Sequence, residues 1–309
     1  MRSLSAAHVR DALDFPRLID ALRTMFAQGC EVPLRHTHLI GDQGTSLLMP
    51  AWRIGKRFGV KIVNIFPNNI KINKPGLHST YTLFDASTGE PLALMDGNEI
   101  TSRRTVAASA LAASFLARPD SKTLLVVGAG RVASLSAYSM RVVLKQLSKV
   151  EVWNVFPKEA EALVAQLRRD GFDAHVSSDL AQSCREADVV SCATLSTSPL
   201  IKAQWLRPGT HVDLIGSFTP AMTEVEPECL RVARVYVDTI EAVQKSGDIL
   251  NAIKEAKFNA SKDLQGTLED LCRGTKPGRT NAKDITLFKS VGTALEDLAA
   301  AELAFDSRL

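Results

Sequence analysis

The sequence contains no apolar run long enough to cross a bilayer, and its first residues lack the apolar core of a signal peptide. It also lacks blocks of like charge, because its 37 basic and 34 acidic residues are scattered and leave a net charge of only +3. These absences argue against a membrane protein, a secreted protein and a nucleic-acid-binding protein. We therefore expect a soluble, cytoplasmic protein with no nucleic-acid or membrane partner.

Disulfide and metal-binding patterns are missing as well. The five cysteines are odd in number and far apart, and no two of them form a C-x-x-C pair. The six histidines likewise show no spacing typical of metal ligands. We therefore expect reduced thiols and no metal site.

The middle of the chain alternates strand and helix patterns. Six short apolar segments have the length and composition of buried strands, and helical periodicity separates several of them. Such alternation is typical of a doubly wound parallel sheet. The predicted strands are 124–127, 150–155, 174–176, 189–193, 211–215 and 235–237, and the predicted helices are 132–147, 158–171 and 179–187.

The residues before this region are organised differently. Helical periodicity predicts one amphipathic helix over 7–28, and strand-like segments separated by turn clusters follow it without helices between them. An alanine-rich helix is then predicted over 101–117, with Thr101 or Ser102 as its N-cap. This pattern indicates an α+β region. Its strand-like segments cover 37–40, 46–50, 59–66, 79–84 and 91–95.

A glycine-rich turn joins the first central strand to the helix that follows it. Residues 124–133 read LLVVGAGRVA, an apolar run that ends in G-x-G-x-x-A. In this context Gly128 permits the tight turn, Gly130 lets a pyrophosphate approach the backbone, and Ala133 keeps the helix close to the strand. The helix N-terminus then faces the phosphate charge. The turn predicts a dinucleotide site.

The next predicted strand ends near the position that contacts the adenosine ribose. Asn154 lies 21 positions after Ala133, where NAD-selective sheets carry Asp or Glu. A neutral Asn does not repel a 2′-phosphate, and the cationic Lys158 is close by in the sequence. The pair favours NADPH, with NADH as the alternative, although Asn is also a common turn residue at strand ends.

Three cations in the first region are candidates for binding an anionic substrate. Lys61 lies inside an apolar strand pattern, Arg104 lies in the first turn of the predicted alanine-rich helix, and Arg35 precedes the first strands. A buried ammonium is costly without an anion, and a helix N-terminus is unfavourable for Arg. A substrate carboxylate would resolve both. The alternative is that Lys61 faces solvent and that Arg104 pairs with Asp96 or Glu99.

With these motifs in place, the sequence resembles the ornithine cyclodeaminase/μ-crystallin family. The resemblance implies a substrate-binding and dimerisation domain around a central Rossmann domain, and a homodimer. The fold class we expect is α/β: a doubly wound parallel Rossmann domain at 119–285, inserted in an α+β domain made of 1–118 and 286–309, whose final helix is predicted over 286–304. The matching segments are 59–67, 94–105, the glycine turn, 213–220 and 288–292.

The resemblance also implies roles for individual residues. Arg35, Lys61 and Arg104 match the group that binds the substrate carboxylate, and Lys61 and Arg104 are the expected catalytic pair. Together with Lys158, the expected dinucleotide contacts are Gly128, Ala129, Gly130, Arg131, Val132, Asn154, Thr194, Ser290 and Gly292.

One departure distinguishes between members of the family. Where ornithine cyclodeaminases and related alanine dehydrogenases carry a catalytic Asp, two residues before Pro220, this sequence has Phe218, which cannot accept a proton. The surrounding segment looks like that of the bacterial Δ1-pyrroline-2-carboxylate reductases, which reduce a cyclic ketimine to L-proline and often its six-membered homologue, Δ1-piperideine-2-carboxylate, to L-pipecolate. We expect that NAD(P)H-dependent activity, with Phe218 as an apolar wall beside the ring.

Two alternatives remain open at this point. One is ornithine cyclodeaminase activity, which would make the protein a lyase. The other is a non-catalytic, crystallin-like protein that only binds NADPH. The sequence does not rank five-membered against six-membered rings.

Overall fold

The computed structural model describes residues 1–307 and, within them, every side chain except that of Ile70. The chain forms two compact units. The discontinuous unit comprises Met1–Arg104 and the chain from Thr293 onward, and the central unit comprises Thr105–Gly292. The predicted boundaries were 118/119 and 285/286. The first observed boundary lies earlier, within the alanine-rich helix, and the second lies later, after the last strand of the central sheet in chain order.

The discontinuous unit is built on a six-stranded sheet with the order β1-β6-β5-β4-β3-β2. Strands β2 to β6 form an antiparallel meander, and β1 pairs with β6 in parallel. The strands are β1 (Arg2–Leu4), β2 (His36–Ile40), β3 (Gly44–Arg53), β4 (Arg57–Ile65), β5 (Leu77–Asp85) and β6 (Pro91–Asp96). The helices are α1 (Ala6–Ala12), α2 (Phe15–Gln28), α3 (Gly97–Leu116), which continues into the central unit, and α12 (Ala294–Asp306), with a 3-10 turn at Pro67–Ile72.

Two helix predictions in this region were wrong at their boundaries. The single helix over 7–28 is split into α1 and α2, because Asp14 caps α2 by accepting the Arg17 N–H at 3.1 Å. The alanine-rich helix begins at Gly97 rather than at Thr101, since Asp96 accepts the Glu99 N–H at 2.8 Å. Residue 104 therefore lies beyond the first turn of α3.

The central unit contains eight parallel strands in the order β13-β12-β14-β11-β10-β7-β8-β9. The order reverses between β7 and β10, which confirms the predicted doubly wound sheet and places the ligand crevice of such folds at their carboxyl ends. The strands are β7 (Thr123–Val127), β8 (Lys149–Trp153), β9 (Asp173–Val176), β10 (Val189–Cys192), β11 (His211–Leu214), β12 (Arg234–Val237), β13 (Leu264–Thr267) and β14 (Thr286–Lys289). The helices are α4 (Ala133–Val143), α5 (Pro157–Arg169), α6 (Leu180–Glu186), α7 (Pro227–Val232), α8 (Ala242–Lys245), α9 (Gly247–Lys254), α10 (Ala260–Asp263) and α11 (Leu268–Arg273), with a 3-10 turn at Ala203–Trp205.

The helix predicted over 286–304 is in fact two elements. Its first residues form β14, which lies between β11 and β12, and Leu287 and Phe288 are fully buried there. Only α12 is helical, and acidic side chains near its start, Glu296 and Asp297, are also buried. Among the described residues, no helix combines the length and the apolar character that a bilayer crossing requires.

Candidate functional site

A buried ionic cluster joins three elements of the discontinuous unit. Lys61 on β4 donates a hydrogen bond to Asp297 Oδ1 at 2.7 Å. Arg104 on α3 contacts the same oxygen through Nε at 3.0 Å and reaches Glu296 Oε2 through Nη1 at 2.6 Å. Two cations and two carboxylates therefore meet at the start of α12, and they are neutral as a set.

Burial determines the electrostatics of this cluster. Lys61 is 1% exposed and Arg104 6%, while Asp297 is inaccessible to solvent. Burial, assisted by the Arg104 charge, lowers the pKa of Lys61 to about 8, although Asp297 opposes the shift. Burial would raise the pKa of Asp297, but the charges of Lys61 and Arg104 outweigh it, so that pKa lies below its ordinary value.

This geometry corrects the sequence interpretation of the two cations. Lys61 does not face solvent, and Arg104 pairs with Glu296 and Asp297 rather than with Asp96 or Glu99. The chain itself supplies anions beside both cations, so their burial does not depend on a substrate carboxylate. Sequence reasoning missed the two carboxylates. The signal was an adjacent acidic pair within an alanine- and leucine-rich helix.

The cluster includes buried oxygens for which residues 1–307 offer no hydrogen-bond partner. Among them are Asp297 Oδ2 and the hydroxyl of Tyr81, which stands opposite Lys61 on β5. Tyr81 fits because Gly59 has no side chain, as a Cβ there would lie 2.0 Å from the hydroxyl oxygen. Burial, followed by the Asp297 charge, raises the pKa of Tyr81 well above its ordinary value. The cluster therefore contains atoms that can form further hydrogen bonds.

Arg35, the third predicted cation, is half-buried and immediately precedes β2. The register pairs His36 with Leu48 on β3 and Leu48 with Ile62 on β4, next to Lys61. Arg35 thus lies at the same level of the sheet as Lys61 but two strands away, roughly 10 Å between backbones. Arg35 and Lys61 are therefore level with each other in the sheet but lie on strands that are not neighbours.

The glycine turn of the central unit has the features of a phosphate site. Gly128 has φ +113° and donates its N–H to Trp153 O at 2.8 Å, and a Cβ there would lie 2.7 Å from Ala193 O. Gly130 is exposed, and no other described atom lies within 4 Å of its would-be Cβ. Helix α4 starts at Ala133, and no described side chain caps it. Backbone is therefore accessible at the turn, where Ala129 and Val132 are half-buried and Arg131 is exposed.

The predicted ribose contact has an acidic neighbour that the sequence interpretation missed. Asn154 follows β8, and its amide donates to Glu159 Oε2 at 2.8 Å and to Phe156 O at 3.3 Å. Lys158 is exposed at the start of α5. The carboxylate of Glu159 therefore lies beside Asn154 and next to Lys158 in the sequence.

Two buried carboxylates organise the loops at the carboxyl ends of the next strands. Glu224 accepts hydrogen bonds from Thr194, which follows β10, and from the Gly216 N–H, which follows β11. Asp238 accepts the N–H groups of Val291 and Gly292 at 2.8 and 2.6 Å. The amide of Gly292, a predicted cofactor contact, is thus already engaged within the chain.

The remaining predicted residues are Ser290 and Phe218. Ser290 is 4% exposed and donates its N–H to Leu214 O at 3.0 Å. Phe218 is 40% exposed in the loop after β11, so it is not a core side chain. Within the part of the chain that the structure describes, no group of three or more His, Cys, Asp or Glu residues is arranged to hold a metal.

Comparison with known proteins agrees with this architecture. The chain is 35% identical to a Delta(1)-pyrroline-2-carboxylate reductase of Paracoccus denitrificans, over 96% of this chain and 94% of that protein. Its structure is similar to that of the Thermococcus litoralis Delta(1)-pyrroline-2-carboxylate reductase in complex with NADH and L-proline, with a TM-score of 0.94 and 31% identity over 99% of this chain and 97% of that one. It is also similar to an archaeal alanine dehydrogenase dimer with bound NAD, with a TM-score of 0.92 and 29% identity over 99% and 95% of the two chains.

These similarities confirm the predicted fold class. The family described as ornithine cyclodeaminase/mu-crystallin matches residues 5–309, which is nearly the whole sequence and includes both units. The chain therefore belongs to the ornithine cyclodeaminase/mu-crystallin family.

Proposed function

We propose that this chain is an imine-reducing oxidoreductase that uses a nicotinamide dinucleotide to reduce Δ1-pyrroline-2-carboxylate to L-proline. The six-membered homologue, Δ1-piperideine-2-carboxylate, is the second substrate we propose. The observation that carries the proposal is the exposed Phe218 at the carboxyl end of β11, where the family resemblance expects the acid of a cyclodeaminase. An apolar side chain there suits a flat ring and cannot activate water or an amine.

The residues of the central unit fit a dinucleotide. Gly128 permits the tight turn, and Gly130 leaves backbone accessible before the start of α4, where a pyrophosphate would be held. Thr194 and Ser290 belong to loops at the carboxyl ends of β10 and β14. The dinucleotide, when bound, supplies the hydride, and the protein supplies its binding and orientation.

The discontinuous unit is the proposed site for the substrate carboxylate. Arg35, Lys61 and Arg104 are the cations that we propose for binding it, as the family resemblance implies. Lys61 and Arg104 are held in place by Asp297 and Glu296.

Lys61 is the proposed proton donor to the imine nitrogen. An iminium accepts hydride more readily than a neutral imine, and burial lowers the pKa of Lys61 to about 8, close to the range in which a general acid works best. Lys61 Nζ would hold the proton and release it as the ring nitrogen gains it. A water molecule that relays this proton is the alternative route.

The proposed preference is for NADPH, with NADH as the second cofactor. Arg131 and Lys158 are exposed cations, and the amide of Asn154 engages the one nearby carboxylate that we identify, Glu159. Lys158 is the cation that we propose for contact with a 2′-phosphate.

The proposed assembly is a homodimer. Helices α1, α2 and α12 pack on one another and against strands of the six-stranded sheet. Strand residues Leu39, Ile62 and Leu94 nevertheless expose apolar surface, at 79%, 36% and 37%. A second copy is the proposed partner of this surface, and light scattering of the purified protein tests it.

A spectrophotometric screen of cyclic imino acids with NADPH and NADH tests the reaction. We expect oxidation of the cofactor with Δ1-pyrroline-2-carboxylate and the formation of L-proline. Formation of ammonia and proline from ornithine with NAD would instead indicate a lyase. Cofactor binding without oxidation by any cyclic imino acid would indicate a non-catalytic protein.

A further inference from the structure

Glu224 is a fully buried carboxylate that the proposed reaction does not use. Its Oε1 accepts hydrogen bonds from the Thr194 N–H at 2.7 Å and the Thr194 hydroxyl at 2.9 Å. Its Oε2 accepts the Gly216 N–H at 2.7 Å. One side chain thus connects the loop after β10 to the loop after β11, and all three donors require an acceptor.

The backbone of Glu224 is itself held rigidly. Its N–H donates to Asp248 Oδ1 at 2.7 Å, and its carbonyl accepts the N–H groups of Leu200 and Ile201 at 2.8 and 3.0 Å. Gly216 is the residue that permits the close approach, because a Cβ there would lie 2.1 Å from Thr194 O and 2.4 Å from Glu224 Oε1. The connection between the two loops is therefore short and well defined.

The two loops lie where a doubly wound sheet binds its ligand. Strand β10 neighbours β7, so Thr194 follows the strand beside the point at which the order reverses. Thr194 is also a proposed dinucleotide contact, and Phe218 stands two residues after Gly216. The inference below rests on the proposed function of these loops.

We propose that Glu224 is a positioning residue, which holds the Thr194 and Gly216 loops in the dinucleotide-binding arrangement only while it is a carboxylate. A protonated Glu224 would place an O–H against an N–H or hydroxyl donor and would lose at least one of the three hydrogen bonds. Dinucleotide affinity should therefore fall when Glu224 takes up a proton, because binding selects the ionised form.

The charges around Glu224 place this change near neutral pH. Burial raises the pKa of Glu224 to about 7, with the Asp248 charge acting in the same direction. The Lys289 charge and the hydrogen bonds from Thr194 oppose the rise. Cys192 stays a neutral thiol, since burial, followed by the Glu224 charge, raises its pKa well above the ordinary value.

The test measures NADH dissociation constants by fluorescence between pH 6.0 and 7.5. NADH is the appropriate probe because it lacks a 2′-phosphate, whose own pKa would fall in this range. In the wild type we expect the Kd to rise about fivefold to tenfold from pH 7.5 to 6.0. Glu224→Gln should bind NADH more weakly at pH 7.5 and lose the pH dependence, because its amide NH2 faces a donor.

Asp188→Asn is the matched control. Asp188 is also buried and also accepts two backbone N–H groups, those of Lys122 and Thr123 at 2.8 and 3.1 Å. It lies at the amino ends of β7 and β10, away from the proposed dinucleotide loops. We expect this variant to keep the wild-type pH profile. The same loss of pH dependence in Asp188→Asn would overturn the proposal, because a general loss of stability would then explain both variants.

The remaining outcomes distinguish a failure of the proposed function from a failure of the proposed role of Glu224. If wild-type protein binds neither NADH nor NADPH at pH 7.5, the proposed function fails, and the role of Glu224 fails with it. If NADH binds with a Kd that does not change with pH, only the role of Glu224 is overturned.

Should Glu224→Gln not fold, Thr194→Val provides the second test. This substitution removes one hydrogen bond that favours the carboxylate, so the midpoint of the Kd profile should move to higher pH. An unmoved midpoint contradicts the proposal.

Discussion

Lys61 Nζ lies 2.7 Å from Asp297 Oδ1, although 236 residues separate the two in the chain. Both side chains are almost completely buried. The acid comes from the helix that follows the whole central unit, and the base comes from a strand that precedes it. The last helix therefore supplies the counter-charge for a cation of the first sheet, and this pairing determines how Lys61 can act.

The pH dependence of the proposed reduction should reflect Lys61. Its pKa is lowered to about 8, so the ammonium loses its proton as the pH rises through that value. We expect kcat/KM for Δ1-pyrroline-2-carboxylate to fall above about pH 8, with up to about a tenfold loss per pH unit, because the proton donor is then neutral. Initial rates between pH 6.5 and 9.5 measure this.

Lys61→Arg is the matched variant for that profile. Arginine keeps its charge throughout this pH range, so the basic limb should disappear even if the overall rate is lower. Titration of the free imine affects both proteins equally and cancels in their ratio. A basic limb that persists unchanged in Lys61→Arg contradicts the assignment of Lys61.

Arg104 should contribute both to stability and to substrate binding. Arg104→Met leaves Glu296 and Asp297 buried with Lys61 as the one remaining cation of the cluster, and we expect a loss of about 3–5 kcal/mol in the free energy of unfolding. Urea unfolding measures it. The double variant Arg104→Met/Glu296→Met should recover part of this loss, because it removes the uncompensated carboxylate. Equal losses in the single and double variants would show that the pair is not coupled.

Arg104→Met also distinguishes an effect on substrate binding from an effect on cofactor binding. Because Arg104 lies in the discontinuous unit, Arg104→Met should raise KM for the ketimine strongly and leave the NADPH dissociation constant near the wild-type value. Fluorescence titration with NADPH provides the second measurement. A parallel loss of both would argue against a role of Arg104 in binding the substrate carboxylate.

Substitutions of Asn154 and of Glu159 should shift the preference between NADPH and NADH in opposite directions. Asn154→Asp adds a charge that repels a 2′-phosphate, so the NADPH/NADH ratio of kcat/KM should fall about tenfold, equivalent to roughly 1.4 kcal/mol. Glu159→Gln removes the carboxylate that Asn154 contacts at 2.8 Å, and the ratio should rise. If neither ratio moves, the 2′ end of the cofactor is recognised elsewhere.

The two glycines of the turn should respond differently to alanine. Gly128→Ala introduces a Cβ 2.7 Å from Ala193 O at φ +113°, so we expect a loss of about 1–3 kcal/mol in stability. Gly130→Ala meets no described atom within 4 Å, so stability should be preserved while dinucleotide affinity falls. Thermal unfolding and NADH titration distinguish them. Undiminished affinity in Gly130→Ala would mean that the pyrophosphate does not approach this residue.

Local patterns predicted the sheets better than the connections between them. The central strands up to β12 follow from short apolar runs, and the glycine turn follows from its motif. Strand β14 was misread because it has only four residues, and its apolar Leu287 and Phe288 also fit the helical periodicity of the segment that follows. The start of α3 was misplaced because Asp96, a residue at the end of a strand, also caps the helix.

By itself, the sequence determined the family, the doubly wound central sheet and the identity of the cations. Those features depend on short-range patterns, since a glycine turn or a buried strand is encoded within a few neighbouring residues. Only the tertiary structure decided what the cations contact. Asp297 reaches Lys61, and Glu224 connects Thr194 to Gly216, through contacts between segments far apart in the chain. Such contacts arise when separate elements pack together, and no local pattern encodes the partner.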